Sequence, residues 1–262
     1  MNIKSISRDL WLLANFRNGW EMVRYLRNPQ PLKQAILLNG KTIVHPDSKV
    51  GLVESLLELW YEKVYFPHGF YLPKSGDLIV DIGANIGLFS LQAARINPHC
   101  KIAAFEPFPE NFSCLSINKN NFCLDNLAVH QYAISSNYRQ DLILEAGSRS
   151  LDHKLLKQSN EISNSSNYLP VEVIPLEGVF DIVKSETISL LKVDIEGTEQ
   201  EIFESISESI LKRIYSLIIE YHDNLRPGTL TLITEKLKST HNLQTIHSTV
   251  SGCGLLFGIC KV

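Results

Sequence analysis

The sequence predicts an α/β protein built on a mostly parallel β-sheet with helices on both faces. From Asp77 onward, short apolar runs alternate with helical patterns, and this alternation is typical of strand–helix–strand units. The first strand also ends in a glycine turn, GANIG at residues 83–87. Glycines at such a turn let the chain reverse sharply and let a ligand approach the backbone.

The composition supports one large domain. Of 262 residues, 44% are hydrophobic and 20% are charged, so the chain can bury a sizeable core. We expect a domain at residues 65–262 and an N-terminal helical extension at residues 1–64. The formal net charge of -3 gives no reason to expect a nucleic acid or an anionic membrane as partner.

The cysteines and the N-terminus predict a cytoplasmic protein. The five cysteines include no C-x-x-C pair, so neither a disulfide framework nor a zinc site is indicated, and a reducing compartment fits best. Charged residues interrupt every apolar run near the N-terminus, so no secretory signal is predicted. No later run approaches the length of a membrane span.

The extension is predicted to hold two helices and a hairpin. Residues 7–27 carry apolar side chains at helical spacing, Leu10 and Trp20 among them. This pattern predicts one docked amphipathic helix, with a substrate lid, a dimer contact or a membrane-surface helix as alternatives. Residues 35–44 predict a hairpin turning at Asn39-Gly40, and residues 50–64 a second helix. The aromatic stretch from Tyr65 to Tyr71 predicts packing contacts.

The domain itself is predicted as strands and helices in alternation. The strands are 77–82, 101–106, 127–134, 171–175, 188–194 and 216–221, and the helices are 86–96, 109–119, 177–183, 198–211 and 227–239. Residues 243–248 and 255–261 flank a glycine-containing turn and predict a closing antiparallel hairpin. A short strand is expected at 142–144. The Ser- and Asn-rich stretch 146–169 predicts a long loop with some helix, in which Ser148, Arg149 and Ser150 either face a substrate or are ordinary polar residues.

The candidate site residues follow the strands, because ligands of an open parallel sheet bind at the carboxyl ends of its strands. Asp81 lies in an apolar strand, where a carboxylate needs a partner, and Asn85 can hold the turn or donate to a ligand. Glu106 ends the next strand, 106 − 87 = 19 residues after Gly87, about the offset of a ribose-binding acid. The dinucleotide pattern G-x-G-x-x-G is absent, so a pyrophosphate is less favoured.

A second polar group follows the fourth and fifth strands. Lys192 and Asp194 share one face of strand 188–194 by its period of two, and Glu196 turns at the end of that strand. Glu199 lies near the following helix start, where its charge suits the helix dipole. The adjacent strand ends in a carboxylate and an imidazole, Glu220 and His222, which should meet Asp194. The other seven histidines, His45 among them, lack such a setting.

Four short sequences carry a family resemblance. DIGANIG at 81–87, AFEP at 104–107, LKVDIEGTE at 191–199 and IEYH at 219–222 closely resemble the FkbM-type S-adenosylmethionine-dependent methyltransferases, over about residues 65–262. The resemblance implies a class I, Rossmann-like fold with a seven-stranded sheet and one antiparallel strand. It also implies S-adenosylmethionine as cofactor, with the methionine part, the ribose and the adenine held by Asp81, Gly83, Ala84, Asn85, Gly87, Glu106, Pro107, Ala133 and Asp194.

The expected reaction is transfer of a methyl group to a hydroxyl of a sugar, polyketide or related metabolite, with nitrogen acceptors in peptides or amino acids as the alternative. The predicted catalytic residues are Lys192, Asp194, Glu196, Glu220 and His222, and Asp194 or His222 would take or relay the acceptor proton. No metal signature is present, although Asp194, Glu196 and Glu220 could hold a divalent cation. A nicotinamide-dependent oxidoreductase and a non-catalytic partner-binding module remain the other interpretations, and the oligomeric state is not predicted.

Overall fold

The structure is a computed structural model, and it describes residues 3–46, 49–66, 70–145, 153–157 and 168–261. In chain order the strands are β1 (Gln34–Ile36), β2 (Thr42–Val44), β3 (Leu78–Ile82), β4 (Lys101–Phe105), β5 (Leu127–His130), β6 (Ala133–Ser135), β7 (Arg139–Glu145), β8 (His153–Lys157), β9 (Tyr168–Pro175), β10 (Ile188–Val193), β11 (Ile214–His222), β12 (His241–His247) and β13 (Cys253–Cys260).

The helices lie between these strands, as the alternating pattern predicts. They are α1 (Ile3–Asn15), α2 (Gly19–Tyr25), α3 (Leu52–Leu56), α4 (Leu88–Ile96), α5 (Pro109–Phe122), α6 (Leu176–Val183), α7 (Glu199–Ser205), α8 (Glu208–Leu211) and α9 (Thr229–Leu237). A π-helical segment, Leu57–Glu62, continues α3. In the described part of the chain, no helix combines the length and the apolar character that a membrane crossing requires.

The central sheet has seven strands in the order β12-β13-β11-β10-β3-β4-β5. Neighbouring strands are parallel, except where β13 pairs with β11 and with β12. The strand order reverses between β3 and β10, where an open α/β sheet offers a ligand crevice at the carboxyl ends of its strands. This edge carries the glycine turn and the ends of β4, β10 and β11.

Alternating side chains of β3 and β10 reach opposite faces of the sheet. Val80 and Leu191 pack into the apolar layer that contains α6, α7 and α9, whereas Ile79 and Leu190 pack toward α4 and α5. The strand period of two therefore also places Asp81 and Lys192 on the α4 side. The two residues are direct register partners across the β3–β10 pair, so the sheet brings this charged pair together.

The prediction of one continuous helix at 7–27 is wrong, because this stretch forms two helices separated by Phe16–Asn18. The side chain of Asn18 donates to the Gln34 carbonyl at 2.9 Å and accepts from the Ile36 amide at 2.9 Å. These long-range hydrogen bonds to β1 compete with a continuous helix. Leu10 and Trp20, predicted on the buried face, are 59% and 74% exposed.

The rest of the extension packs on the central domain. The predicted hairpin at 35–44 is confirmed as β1 and β2, with Gly40 at a φ of 87°. The predicted helix 50–64 is α3 followed by the π-helical segment, which ends at Glu62 and is followed by Lys63 in the left-handed conformation. Leu56 and Trp60 share an apolar cluster with Leu88 of α4. The division into units at residue 64 stays a prediction.

The stretch 146–169 is not simply a loop with some helix. Residues 153–157 form β8, and β9 begins at Tyr168. With β6 and β7 they make a second sheet in the order β6-β9-β7-β8. The predicted strand 127–134 is therefore divided, since β5 belongs to the central sheet and β6 to the second. In the stretch 146–169, β8 and the start of β9 show little alternation of apolar and polar residues. Backbone pairing with distant strands stabilises them instead. Ser148, Arg149 and Ser150 lie outside the described residues.

The predicted helix 198–211 is also divided, into α7 and α8. The chain is extended at Ile206, and Ser207 begins α8 by accepting from the Ile210 amide at 3.3 Å. A serine in this position is a preferred helix N-cap. The other predicted helices and strands of the domain are found with shifted ends, and the closing antiparallel hairpin is confirmed.

Candidate active site

The glycine turn after β3 is fixed by backbone geometry. Gly83, Asn85 and Gly87 have φ angles of 74°, 51° and 91°, in the left-handed region that favours glycine and tolerates asparagine. A Cβ atom on Gly83 would lie 1.7 Å from the carbonyl oxygen of Asp194. Gly83 is therefore needed because β10 ends against this turn. Ala84 is buried, and its amide donates to the Phe105 carbonyl at 3.0 Å.

Glu106 at the end of β4 lies against the same turn. Its Oε2 accepts from the Asn85 amide at 2.8 Å, and its Oε1 accepts from the Phe108 amide at 3.0 Å. Burial raises the pKa of Glu106 to about 7, although the two amides oppose that shift. Pro107 follows, and Ala133 packs beside Phe108. The structure thus brings the turn and Glu106 into contact, with Pro107 and Ala133 adjoining Phe108.

The ion pair of Asp81 and Lys192 lies beneath the turn. Lys192 Nζ is 3.2 Å from Asp81 Oδ1 and donates to the Gly83 carbonyl at 2.9 Å. Ser90 of α4 donates to Asp81 Oδ2 at 2.7 Å, and Asp81 is fully buried. Burial alone would lower the pKa of Lys192, but Asp81 and then Asp194 outweigh it and raise that pKa. Lys192 is therefore a fixed cation that supports the turn.

His222 at the end of β11 is held by carboxylates on both sides of its ring. Nδ1 is 2.7 Å from Oε1 of Glu199, which also accepts from the Gly197 amide at 3.1 Å. Nε2 is 3.5 Å from Glu196 and 4.0 Å from Glu220. Burial by itself lowers the pKa of His222, but Glu199 and the other carboxylates raise it to about 10. The imidazole is therefore an imidazolium at neutral pH.

Tyr65 joins this group from the segment before β3. Its hydroxyl is 2.6 Å from Glu220 Oε2 and 3.1 Å from Asp194 Oδ2. A phenol has one hydrogen, so hydrogen bonds at both contacts need a second proton. Burial, and then the charge of Asp194, raises the pKa of Glu220 to about 8, so Glu220 holds that proton at neutral pH. Asp194 also lies 3.4 Å from Lys192 Nζ.

A cavity of about 40 Å³ connects these groups with the extension. Its lining includes the glycine turn, Lys192 and Asp194 on one side, and Tyr65, Ser55 and His45 on the other. Burial lowers the pKa of His45 to about 4, so this histidine is neutral at pH 7. A space of this size admits a small group beside the carboxylates.

Sequence reasoning missed the contributions of Tyr65 and His45. Tyr65 was expected to pack, and it does contact Phe89 edge-on, but the aromatic pattern gives no sign of its two carboxylate partners. His45 follows a short strand of the extension. It was not predicted, because the candidate residues were taken from the ends of the strands of the central sheet. The docking of the extension brings His45 to the site, and the segment between the extension and β3 brings Tyr65.

Three candidate metal ligands lie near one another. One ligand atom each from Asp194, Glu220 and His222 is within 4.8 Å of the other two. Tyr65 and Lys192 already contact the two carboxylates, and Glu199 binds His222. The group is therefore an internally hydrogen-bonded cluster. The prediction of a site without metal, with a divalent cation on Asp194, Glu196 and Glu220 as the alternative, stays a prediction.

The fold and the site together define a class of protein. A seven-stranded sheet in this order, with one antiparallel strand and a glycine turn at its switch point, is the class I, Rossmann-like methyltransferase fold, as predicted. More specifically, the chain belongs to the FkbM methyltransferase family. Residues 81–239, more than half of the chain, match the family described as Methyltransferase FkbM domain.

Similar proteins carry matching names. The chain is 28% identical over 206 residues to Methyltransferase sdnD of Sordaria araneosa, covering 67% of this chain and 80% of that protein. It is 25% identical over 214 residues to the 31-O-demethyl-FK506 methyltransferase FkbM of Streptomyces tacrolimicus, covering 71% and 80%.

Solved structures of similar fold include methyltransferases of different kinds. One is a SAM-dependent methyltransferase from Aquifex aeolicus, with a TM-score of 0.42, 16% identity and coverage of 79% of this chain and 93% of that one. Another is an rRNA methylase from Streptococcus thermophilus, with a TM-score of 0.47, 13% identity and coverage of 73% and 90%. The absence of a nucleic-acid partner stays a prediction from net charge.

Proposed function

We propose that this methyltransferase uses S-adenosylmethionine and methylates a hydroxyl group of a sugar, polyketide or related metabolite. One observation carries the proposal: the glycine turn and Asp194 line the same cavity. The residues that would hold the methyl donor and the residue that would receive the acceptor proton therefore meet at one point. We also propose a cytoplasmic location, from the cysteine content alone.

The residues at the end of β3 and β4 fit this cofactor. Glu106 is a buried carboxylate beside the turn, and it accepts hydrogen bonds from the Asn85 and Phe108 amides and from the Asn111 side chain. The two hydroxyl groups of a ribose would donate hydrogen bonds to this carboxylate. Asn85, Ala84 and Gly87 shape the turn where the methionine part would lie, while Asp81 would act from below through Lys192 and Ser90. When bound, the cofactor supplies a methyl group activated by a sulfonium.

The protein's own part in the reaction is positioning and proton removal. Holding an oxygen about 3 Å from a methyl carbon supplies much of the rate enhancement of a displacement. The hydrogen bond from His222 to Glu199 and the raised pKa of that imidazole favour Asp194 over His222 as the base. Asp194 would accept the hydroxyl proton, and Lys192 would keep the carboxylate in place.

The acceptor atom is the least constrained part of the proposal. The name of the Streptomyces relative places its methyl group on an oxygen, which supports a hydroxyl acceptor. The carboxylates Asp194 and Glu196 would equally attract a cationic amine, so nitrogen acceptors in a peptide or amino acid remain the alternative. A screen of alcohols against amines with the purified protein, read as methylated product, separates the two.

Two alternatives from other classes are less well supported. A nicotinamide-dependent oxidoreductase would share the strand, turn and acidic residue, but the turn lacks the third glycine of the dinucleotide pattern. A non-catalytic module would not need the cluster of Asp194, Glu220 and His222, which this chain retains.

Calorimetric titration of the purified protein with S-adenosylhomocysteine and with NAD tests the cofactor. We expect heat of binding with S-adenosylhomocysteine and none with NAD. Binding of NAD alone would overturn the proposal in favour of the oxidoreductase. Silence with both ligands would favour the non-catalytic module.

A further inference from the structure

Tyr65 lies outside the part of the chain that matches the FkbM family, which begins at residue 81. We propose that Tyr65 is a positioning residue of the active site: its hydroxyl holds the Asp194 and Glu220 carboxylates together, and its ring covers the Lys192 ammonium. The inference rests on the methyltransferase function proposed above. It assigns to the segment that joins the N-terminal extension to β3 a part in arranging the reacting groups.

The hydroxyl of Tyr65 bridges two strands. Asp194 directly follows β10 and Glu220 lies in β11, and the phenol oxygen is 3.1 Å and 2.6 Å from their respective carboxylates. Two carboxylates this close to one oxygen repel each other unless a proton or a cation lies between them. The Tyr65 hydroxyl has one hydrogen for Asp194, and the proton held by Glu220 completes the second contact, so the hydroxyl fixes the separation and direction of both groups.

The ring of Tyr65 contacts the third member of the group. Lys192 Nζ lies 5.6 Å from the ring centroid, within the range of a cation–π interaction. The same ammonium binds the Gly83 carbonyl. Tyr65 therefore contacts the two carboxylates and the cation that supports the glycine turn, all from one buried position with 3% exposure.

The position of Tyr65 is determined by the docking of the extension on α4. Its ring meets Phe89 edge-on with centroids 5.6 Å apart, and Phe66 stacks on the same ring at 5.2 Å. Just before it in the chain, Trp60 Nε1 donates to the Leu88 carbonyl at 3.1 Å. These contacts hold the segment against the helix that follows the glycine turn. Docking and active-site geometry are therefore linked through one residue.

Tyr65 is suited to donate and not to lose its proton. Burial comes first, and the charges of Asp194 and Glu220 add to it, so the pKa of Tyr65 is raised well above its ordinary value. The charged and titratable neighbours of Glu220 include Asp194, Tyr65, Glu58, His222, Lys192 and Cys253. Among these, the phenol lowers the pKa of Glu220 by hydrogen bonding, while Asp194 and Glu58 raise it.

The test compares Tyr65→Phe with a matched control, Tyr61→Phe. Tyr61 lies in the π-helical segment, and its hydroxyl pairs with Ser7 at 2.7 Å on the surface. We expect Tyr65→Phe to bind S-adenosylhomocysteine as the wild type does and to lower kcat roughly 10- to 100-fold, the usual effect of one hydrogen bond to a charged group. Tyr61→Phe should change neither quantity.

A carboxyl NMR titration without cofactor or acceptor gives a readout independent of turnover. Loss of the phenol donor should raise the titration midpoint of Glu220 in Tyr65→Phe but not in Tyr61→Phe. If no acceptor is methylated by the wild type, the proposed function fails, while a raised midpoint still supports the positioning role. An unchanged midpoint together with unchanged kcat would overturn the inference.

A double-mutant cycle covers the case in which Tyr65→Phe also loses stability. If Tyr65 acts through Glu220, the kcat effect of Tyr65→Phe should be smaller in a Glu220→Ala background, which removes the hydrogen-bond partner of the phenol, than in the wild type. If Tyr65→Phe acted only by weakening the fold, it would lower kcat by the same factor in both backgrounds. Additive effects on kcat would therefore count against the positioning role.

Discussion

The Nδ1 atom of His222 lies 2.7 Å from Oε1 of Glu199, a carboxylate that is fully buried at the start of α7. The sequence predicts for Glu199 a role at the helix start. The structure adds that this carboxylate also ties the end of β11 to α7 through a charged hydrogen bond. Such bonds are roughly twice as strong as neutral ones, and their strength depends on the charge of the imidazole.

Stability should therefore fall at alkaline pH. The folded pKa of His222, about 10, lies above its ordinary value of 6.5, so this contribution is fully present below pH 6.5 and is lost as pH rises through about 10. The expected loss in the free energy of unfolding is on the order of a few kcal/mol, measured by urea unfolding at several pH values.

Glu199→Gln isolates the contribution of His222. Without the buried charge, the pKa of His222 should fall, and the dependence of unfolding free energy on pH should become shallower. Glu208→Gln makes the same change at an exposed residue of α8 and should leave the dependence as in the wild type. Equal slopes in Glu199→Gln and the wild type would contradict the assignment.

Removal of the Lys192 ammonium should destabilise the fold. Lys192→Met leaves Asp81 buried without its cation, which typically costs about 3–5 kcal/mol. Lys212→Met is the matched control, because its pair with Glu208 is exposed on both sides and should contribute less than about 1 kcal/mol. In urea unfolding, adding Asp81→Leu to Lys192→Met should recover part of the loss. A Lys192→Met protein as stable as the control would contradict this account.

Gly83 should be the least replaceable glycine of the turn. In Gly83→Ala the new Cβ would lie 1.7 Å from the Asp194 carbonyl oxygen, so β3 and β10 would have to separate, at a cost of roughly 3 kcal/mol or more. Gly76 has a similar φ of 87°, and its Cβ would meet nothing within 4 Å. Gly76→Ala should cost only about 1–2 kcal/mol. Thermal unfolding of both variants makes the comparison, and similar losses would argue against the close approach of the strands.

Cofactor affinity should depend on pH through Glu106. The pKa of Glu106 is raised by burial to about 7, and the ionised carboxylate is the better acceptor for two ribose hydroxyls. Binding of S-adenosylhomocysteine should therefore weaken as pH falls through about 7. Glu106→Gln should bind roughly tenfold or more weakly and without this pH dependence, whereas Glu110→Gln, an exposed change in α5, should behave as the wild type. A pH-independent wild type in calorimetry would exclude the role.

The central sheet and the site residues at the ends of its strands could be predicted, because short local sequence patterns encode them. β3, β4, β10 and β11 are apolar runs, and turn residues follow β3 and β10 directly. Parallel strands of one sheet end at the same edge, so the strand pattern alone predicts that residues such as Glu106, Asp194 and His222 gather there.

The rest depends on contacts that no local pattern encodes. The break between α1 and α2 exists because Asn18 binds the backbone of β1. His45 reaches the site because the extension docks on the domain, and Tyr65 reaches it because the segment before β3 packs on α4. β8 and the start of β9 lie in the stretch that the sequence predicts as a loop. They form by pairing with β7, and such pairing between distant segments gives no local sequence signal.

The two carboxylates that contact Tyr65 should differ in their importance for turnover. The raised pKa of Glu220, about 8, keeps its carboxyl protonated at neutral pH, and a protonated glutamate resembles glutamine in shape and charge. Glu220→Gln should therefore keep kcat within roughly tenfold of the wild type. Asp194 pairs with the Lys192 ammonium and is the proposed base, so Asp194→Asn should lower kcat roughly 100- to 10,000-fold. Both rates are measured at saturating cofactor near pH 7, with calorimetry showing that S-adenosylhomocysteine still binds. Equal losses in the two variants would mean that the carboxylates act as one unit, and unchanged turnover in Asp194→Asn would remove Asp194 from the reaction.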